Sequence, residues 1–267
     1  NFDGTRLASA NGNNVQIWDA ANWELTIELH GHADEIYRVT WNPVDNRIAT
    51  RGLDNTVRIW DGNSGEQLEL FQPFTLSIRI AWSPDSTRIA ASSDGKIYVL
   101  NATTGSLDMI LDDGNYYRDS ERFVSWLTDN LLLSIGGVPP YVVPATPLNV
   151  WNTTTQEIVF TSEIQGNRIG DVSINGDKSL MAILFSDHTI QVLNTDTWEI
   201  HNLEYEYEPH PDYPFRETTD IQFSNGGKYI AIQVLAHDGP AYLQTLYIVE
   251  IRTGQIALSA EEASFLL

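Results

Sequence analysis

Apolar and polar residues alternate in short runs that return along the whole chain, and each run closes on a similar tag. The runs are Val15-Gln16-Ile17-Trp18-Asp19, Val57-Arg58-Ile59-Trp60-Asp61, Ile97-Tyr98-Val99-Leu100-Asn101, Leu148-Asn149-Val150-Trp151-Asn152, Ile190-Gln191-Val192-Leu193-Asn194 and Leu246-Tyr247-Ile248-Val249-Glu250. A period of two carried by β-branched and aromatic residues predicts strands. Measured at the fourth residue of each run, the steps are 42, 40, 51, 42 and 56 residues. That spacing is the period of an array built from one supersecondary unit.

Each tag runs into a turn, such as Asp61-Gly62-Asn63-Ser64-Gly65 or Asn101-Ala102-Thr103-Thr104-Gly105, and a further strand follows, as in Gln67-Leu68-Glu69-Leu70-Phe71. Gly, Asn and Asp tolerate the backbone angles of a tight turn. Upstream lies another strand, turn and strand. Its turn reads Trp41-Asn42-Pro43, Trp82-Ser83-Pro84 or Phe223-Ser224-Asn225, and the strand after it is apolar, as in Arg47-Ile48-Ala49-Thr50. The unit therefore holds four strands, and no helical period occurs anywhere. One such sheet does not bury both of its faces alone, whereas sheets stacked radially do.

These residues resemble the tryptophan-aspartate (WD) repeat family of β-propellers. The resemblance is specific over residues 24–101 and degenerate beyond about residue 102. It implies a hydrogen-bonded structural tetrad in the second repeat, matched by Gly31-His32, Thr50, Asp54 and Trp60. The other repeats depart from it: Gln72-Pro73-Phe74 stands where Gly-His is due, and Leu100 and Leu193 replace the Trp. Those repeats are expected to be held mainly by packing.

The expected fold is all-β, a propeller with six visible four-stranded blades, either six-bladed or part of a seven-bladed ring. It forms one domain over 1–267, with approximate repeats 1–32, 33–74, 75–114, 115–166, 167–214 and 215–267. Residue 1 aligns with Ser83, just after the first strand of a repeat, so neither end clearly supplies the first strand of the first sheet. Either Ala263 to Leu267 fill that slot, or the chain is a segment of a longer one; the second is the expectation.

The formal charge of −21 alters the list of partners. A field of that sign repels phosphate backbones and anionic lipid, so neither nucleic acid nor a membrane surface is expected. No apolar run reaches membrane-spanning length. Cysteine is absent, which bars disulfides and thiol chemistry and fits a bacterial surface or secreted protein.

No chemistry-bearing motif stands out. His30 and His32 share a strand face, but no third ligand is near and His32 has a structural role by resemblance, so no metal is expected. Asp112-Asp113-Gly114-Asn115 lacks the spaced oxygen ligands of a calcium loop and reads as a polar turn. No Gly-x-Ser-x-Gly elbow or phosphate-binding loop occurs. Accordingly no catalytic residue and no cofactor are assigned, and the protein is not expected to be an enzyme.

The sharper clue lies where residues are inserted into the repeat. Residues 136–147, rich in Pro and carrying Tyr141, fall between the second and third strands of the fourth repeat. Residues 204–216 include Tyr205, Tyr207, His210, Tyr213, Phe215 and Arg216 and precede the sixth repeat. Residues 236–242, with Tyr242, enter the next hairpin, and residues 114–119, with Tyr116, Tyr117 and Arg118, enter the fourth repeat. In an antiparallel meander all four connections emerge at one end of the sheets. Long loops on a rigid scaffold concentrate binding function; Tyr offers wide amphipathic contact and Pro stiffens it. The expected function is a protein-binding or assembly scaffold using this end of repeats four to six. The alternative is a carbohydrate-binding propeller with tyrosines stacked on a glycan and a carboxylate pair for hydrolysis.

Overall fold

The computed structural model describes residues 1–72, 77–112, 114, 122–136, 145–165, 169–185, 187, 189–203, 215–224, 226–238 and 241–265. No helix occurs among them, and all regular structure is strand. The chain divides into two compact units, Asn1–Ile164 and Gln165–Leu267.

The first unit begins with a three-stranded sheet of β1 (Arg6–Asn11), β2 (Asn14–Asp19) and β3 (Leu25–Leu29). The second sheet holds β4 (Ile36–Trp41), β5 (Arg47–Gly52), β6 (Val57–Asp61) and β7 (Gln67–Phe71). The third holds β8 (Ser77–Trp82), β9 (Arg88–Ser93), β10 (Lys96–Asn101) and β11 (Leu107–Leu111). The fourth holds β12 (Arg122–Trp126), β13 (Leu131–Gly136), β14 (Ala145–Asn152) and β15 (Glu157–Gln165).

The second unit contains two sheets. The fifth is built of β16 (Ile169–Ile174), β17 (Leu180–Phe185), β18 (Ile190–Asn194) and β19 (Ile200–Asn202). The sixth is built of β20 (Phe215–Phe223), β21 (Tyr229–Asp238), β22 (Ala241–Glu250) and β23 (Ile256–Phe265). Strands consecutive in sequence are neighbours in every sheet.

Register identifies β1 as a second strand, because Leu7 pairs with Trp18 as Ile48 pairs with Trp60. The second strands β5, β9, β13 and β17 share one burial pattern, a half-buried residue followed by five buried ones, but β1 is mostly open. Leu7 is 49% exposed where Ile48 is fully buried. Ala263 to Phe265 pair with Leu243, Tyr242 and Ala241 in the sixth sheet. Leu266 and Leu267 lie outside the described residues. The indole N–H groups of Trp82 and Trp126 donate to Thr40 O and Ala81 O on the first strand of the preceding sheet. Trp41, in the matching place beside β1, has a buried Nε1 with no acceptor among the described residues.

The recurring Asp or Asn of the tag has a local cause. The side-chain oxygen of Asp19, Asp61, Asn101, Asn152 and Asn194 accepts the backbone N–H groups two and three residues on. The same residue's carbonyl accepts the N–H four on, from Trp23, Gly65, Gly105, Gln156, Trp198 and, after Glu250, Gly254. Those six residues all have φ between 61° and 79°. Glycine adopts that angle at little cost; Trp23, Gln156 and Trp198 hold it because the turn is fixed at both ends.

Arginines at the start of second strands tie neighbouring sheets of the first unit. Arg6 Nη1 donates to Gly62 O at 2.6 Å. Arg47 donates to Ala102 O and Ser86 O at 3.1 and 2.8 Å and lies 5.1 Å from the Trp82 ring centre. Arg88 donates to Thr153 Oγ1 and Asp129 O and lies 4.8 Å from the Trp126 ring centre. Stacking on an aromatic face suits a planar guanidinium.

Three of the expected insertions differ from the observed elements. Residues 236–238 and 241–242 are strand, since β21 and β22 pair as far as Asp238 and Ala241. Phe215 and Arg216 begin β20, paired with His237 and Ala236. Ala145 to Pro147 begin β14, and Gly136 ends β13. In the first two cases ladder pairing with a neighbouring strand extends the sheet past the point where apolar alternation stops.

Candidate functional site

The polar centre of the second sheet draws on the segment entering the sheet, on β5 and the turn after it, and on β6. His32 follows β3, Thr50 lies on β5, Asp54 sits in the turn after it and Trp60 lies on β6. Trp60 Nε1 donates to Thr50 Oγ1 at 2.8 Å, and that hydroxyl lies 2.8 Å from His32 Nε2. His32 Nδ1 lies 2.9 Å from Asp54 Oδ2. The chain of donors is consistent when Nδ1 carries the proton, so His32 is neutral and donates to the carboxylate. Asp54 also accepts from the Ala33 N–H, the Thr56 N–H and the Thr56 hydroxyl, and Arg58 Nη2 stands 3.7 Å away.

Burial lowers the pKa of His32 despite the neighbouring carboxylate. For Asp54 burial pushes the other way, but the Ala33 N–H, the Thr56 hydroxyl and His32 outweigh it and hold the carboxyl at about 2. His32 is engaged by the Asp54 and Thr50 side chains and Asp54 by His32, Thr56 and two backbone N–H groups, so both are spent on internal hydrogen bonds.

Half of this arrangement recurs in two other sheets. Trp18 Nε1 donates to Ser9 Oγ at 3.0 Å, and Trp151 Nε1 to Ser134 Oγ at 3.0 Å. The hydroxyl always stands two residues beyond the partner of the indole in the ladder. Where the indole is absent the hydroxyl is absent too: the pairs are Ala91 with Leu100, Ile183 with Leu193, and Ile232 with Val249. A buried indole N–H needs an acceptor, and a buried hydroxyl without one is costly. The first and fourth sheets therefore keep a polar lock, and the third, fifth and sixth rely on packing. The signal was present in the sequence as a Ser ahead of a tag Trp, at spacings of 9 and 17 residues.

The candidate partner-binding side chains are not described. Tyr116, Tyr117, Arg118, Tyr141, Tyr205, Tyr207, His210 and Tyr213 lie outside the described residues. For Phe215, Arg216 and Tyr242 the backbone is in strand. His30 bonds Asn14 and approaches Glu28 at 3.7 Å, apart from the His32 network. Asp112 pairs with Lys96 at 2.9 Å and accepts the Gly114 N–H. In the second unit a cleft of about 410 Å³ has an apolar floor of Leu180, Val192, Leu203 and Ile251, rimmed by Glu199, His201 and Arg252.

The family of the WD domain, G-beta repeat, matches residues 23–61 and 72–101. The chain carries WD repeats. Eukaryotic translation initiation factor 3 subunit I of Sclerotinia sclerotiorum is 24% identical over 208 residues, 75% of the WD-repeat chain and 62% of that protein. Protein HIR1 of Cryptococcus neoformans is 36% identical over 107 residues, 36% of this chain and 12% of that one. THO complex subunit 3 of Arabidopsis thaliana is 30% identical over 108 residues, 38% and 34% of the two chains. The crystal structure of the Myceliophthora thermophila Cps50 (Swd1) β-propeller domain superimposes with a TM-score of 0.78 at 16% identity, covering 97% of this chain and 84% of that one. The fold is thus a β-propeller. The chain spans about three fifths of the length of the initiation-factor relatives.

The relatives overturn the expected secreted or cell-surface bacterial setting, because they are eukaryotic intracellular factors. The absence of cysteine prompted that expectation. It bars disulfides, but a reducing interior accepts a cysteine-free chain as readily as an oxidising exterior does.

Proposed function

We propose that the WD-repeat chain is a non-enzymatic scaffold that holds a protein partner or a larger assembly, with the contact at the end of sheets four to six where connections are longest. The observation that carries the reading is that two relatives are named as subunits, of translation initiation factor 3 and of the THO complex. A perturbed pair such as His32 and Asp54, spent on internal hydrogen bonds, supports binding over catalysis. Support for the choice of end comes from β21 and β22. They have ten residues each, against five to eight for the second and third strands of the other sheets, and the added length lies toward the connection between them.

Replacing Tyr205, Tyr207 and Tyr213 together with Ala tests this. Capture of the endogenous partner, read by crosslinking and mass spectrometry, is expected to fall while the melting temperature stays within about 2 °C. A melting temperature lowered by much more, with capture per folded molecule unchanged, assigns the tyrosines to covering the sheets.

A further inference from the structure

Arg51 is a buried cation that feels the charge of Asp54 but has no acceptor at its Nε. It is 6% exposed, and its Nε is buried without a hydrogen-bond partner. Its one close neighbour of note is the Tyr37 ring, 5.5 Å from the guanidinium carbon. The nearby Asp54 carboxylate is already occupied by His32, Ala33 and Thr56. A buried charge of this kind is costly unless paired and hydrogen-bonded.

The fold does not ask for it. The corresponding second-strand position holds Ala10, Ser92, Ile135, Leu184 and Gln233 in the other sheets. Ile135 and Leu184 fill the place as buried apolar side chains. One position further along the second strand of the adjoining third sheet, Ser93 Oγ is also buried without a partner. The two sheets pack on each other through Ala49, Ile59, Ile80 and Ile89. Arg51 Nε thus lies unsatisfied close to a Tyr37 side chain that is 66% exposed.

We propose that this end of the second sheet binds one carboxylate of a protein partner, an Asp or Glu side chain flanked by apolar residues. Arg51 is its ion-pair partner and the Tyr37 ring the wall beside it. Moving an exposed tyrosine uncovers the guanidinium without unpacking the sheet. A single carboxylate fits better than a phosphate, because one cation beside Asp54 in a chain of charge −21 offsets one negative charge and not two. The inference rests on the scaffold reading for its biology, but it concerns different sheets.

The test uses the whole chain with sodium acetate, sodium chloride and inorganic phosphate at matched ionic strength, read at the Arg51 Nε–H resonance. An acetylated, amidated peptide with one Glu between leucines is titrated alongside. The resonance is expected to move saturably with acetate and with the peptide, and to respond least to chloride. Arg51→Met is expected to weaken the peptide about tenfold or more and to leave the melting temperature equal or higher, since it removes a buried cation whose Nε has no acceptor. Acetate acting no better than chloride, phosphate outcompeting acetate, or Arg51→Met unfolding the protein several degrees earlier overturns the assignment. Acetate probes the site with no partner present, so a failure of the Tyr205, Tyr207 and Tyr213 test leaves this result intact.

Discussion

Asp54→Ala is expected to destabilise the first unit by about 3–5 kcal/mol, because several donors lose their acceptor at once and each one left unsatisfied in the interior costs about 1–3 kcal/mol. For a chain of this length that lowers the melting temperature by about 10 °C. The loss is large because the carboxylate satisfies several donors at once: His32 Nδ1, the Ala33 N–H, and the N–H and hydroxyl of Thr56. Once it is gone, His32 Nδ1 and the Thr56 donors are left in the interior without that acceptor, while the exposed Ala33 N–H turns to solvent. Calorimetry at neutral pH checks the value, and a change within about 2 °C would show the network to be dispensable.

The wild-type protein shows the same network through pH. His32 is held below its ordinary pKa, so the unfolded chain takes up its proton first, and stability declines as pH falls below about 6.5. Asp54 drops from 3.8 to about 2 on folding. Its contribution, on the order of 2 kcal/mol, is present above pH 3.8 and is lost as pH falls from there through about 2. Both effects run in the same direction, and Asp54→Ala is expected to lack the lower limb.

Gly62→Ala is the second large effect. A methyl group built at Gly62 lies 2.4 Å from the Asn46 carbonyl oxygen and 2.7 Å from Cζ3 of Trp41. The carbonyl is backbone and accepts the Gly62 N–H at 2.8 Å, so it does not swing aside as a long side chain would. The Gly62 carbonyl also receives Arg6, and a shifted turn weakens that tie between the first and second sheets. The expected cost is about 2–4 kcal/mol, the upper range for overpacking. Gly226→Ala, which meets nothing within 4 Å, is the control and is expected to be near neutral. Equal melting temperatures for the two variants would contradict the close approach.

Much of the fold was legible because the repeat is written in residue types with fixed jobs. The Asp or Asn of the tag fastens a turn through its side-chain oxygen, so it survives even where the Trp has become Leu, as at Asn101 and Asn194. The Ser134 and Trp151 pair was harder to see, because residues 137–144 stretch a spacing that is 10 residues in the second repeat. The sixth sheet misled for another reason. His237 and Asp238 break the apolar alternation, yet they stay in strand because the Tyr242 and Ala241 backbone pairs with them and β23 pairs in turn. Arg51 left no mark in the pattern, since a basic residue at one second-strand position looks like any exposed polar one. Its burial is a tertiary fact.

Hydrogen exchange at the eight tryptophan indoles tests the central claim most directly, that the sheets share one register in which a tag indole meets a hydroxyl two residues beyond its ladder partner. Trp60 and Trp151, buried and bonded to Thr50 and Ser134, are expected to exchange slowly, and Trp23, 67% exposed, fastest of all. Thr50→Val and Ser134→Ala are each expected to speed only their own indole. Trp60 and Trp151 exchanging as fast as Trp23 would contradict the shared register.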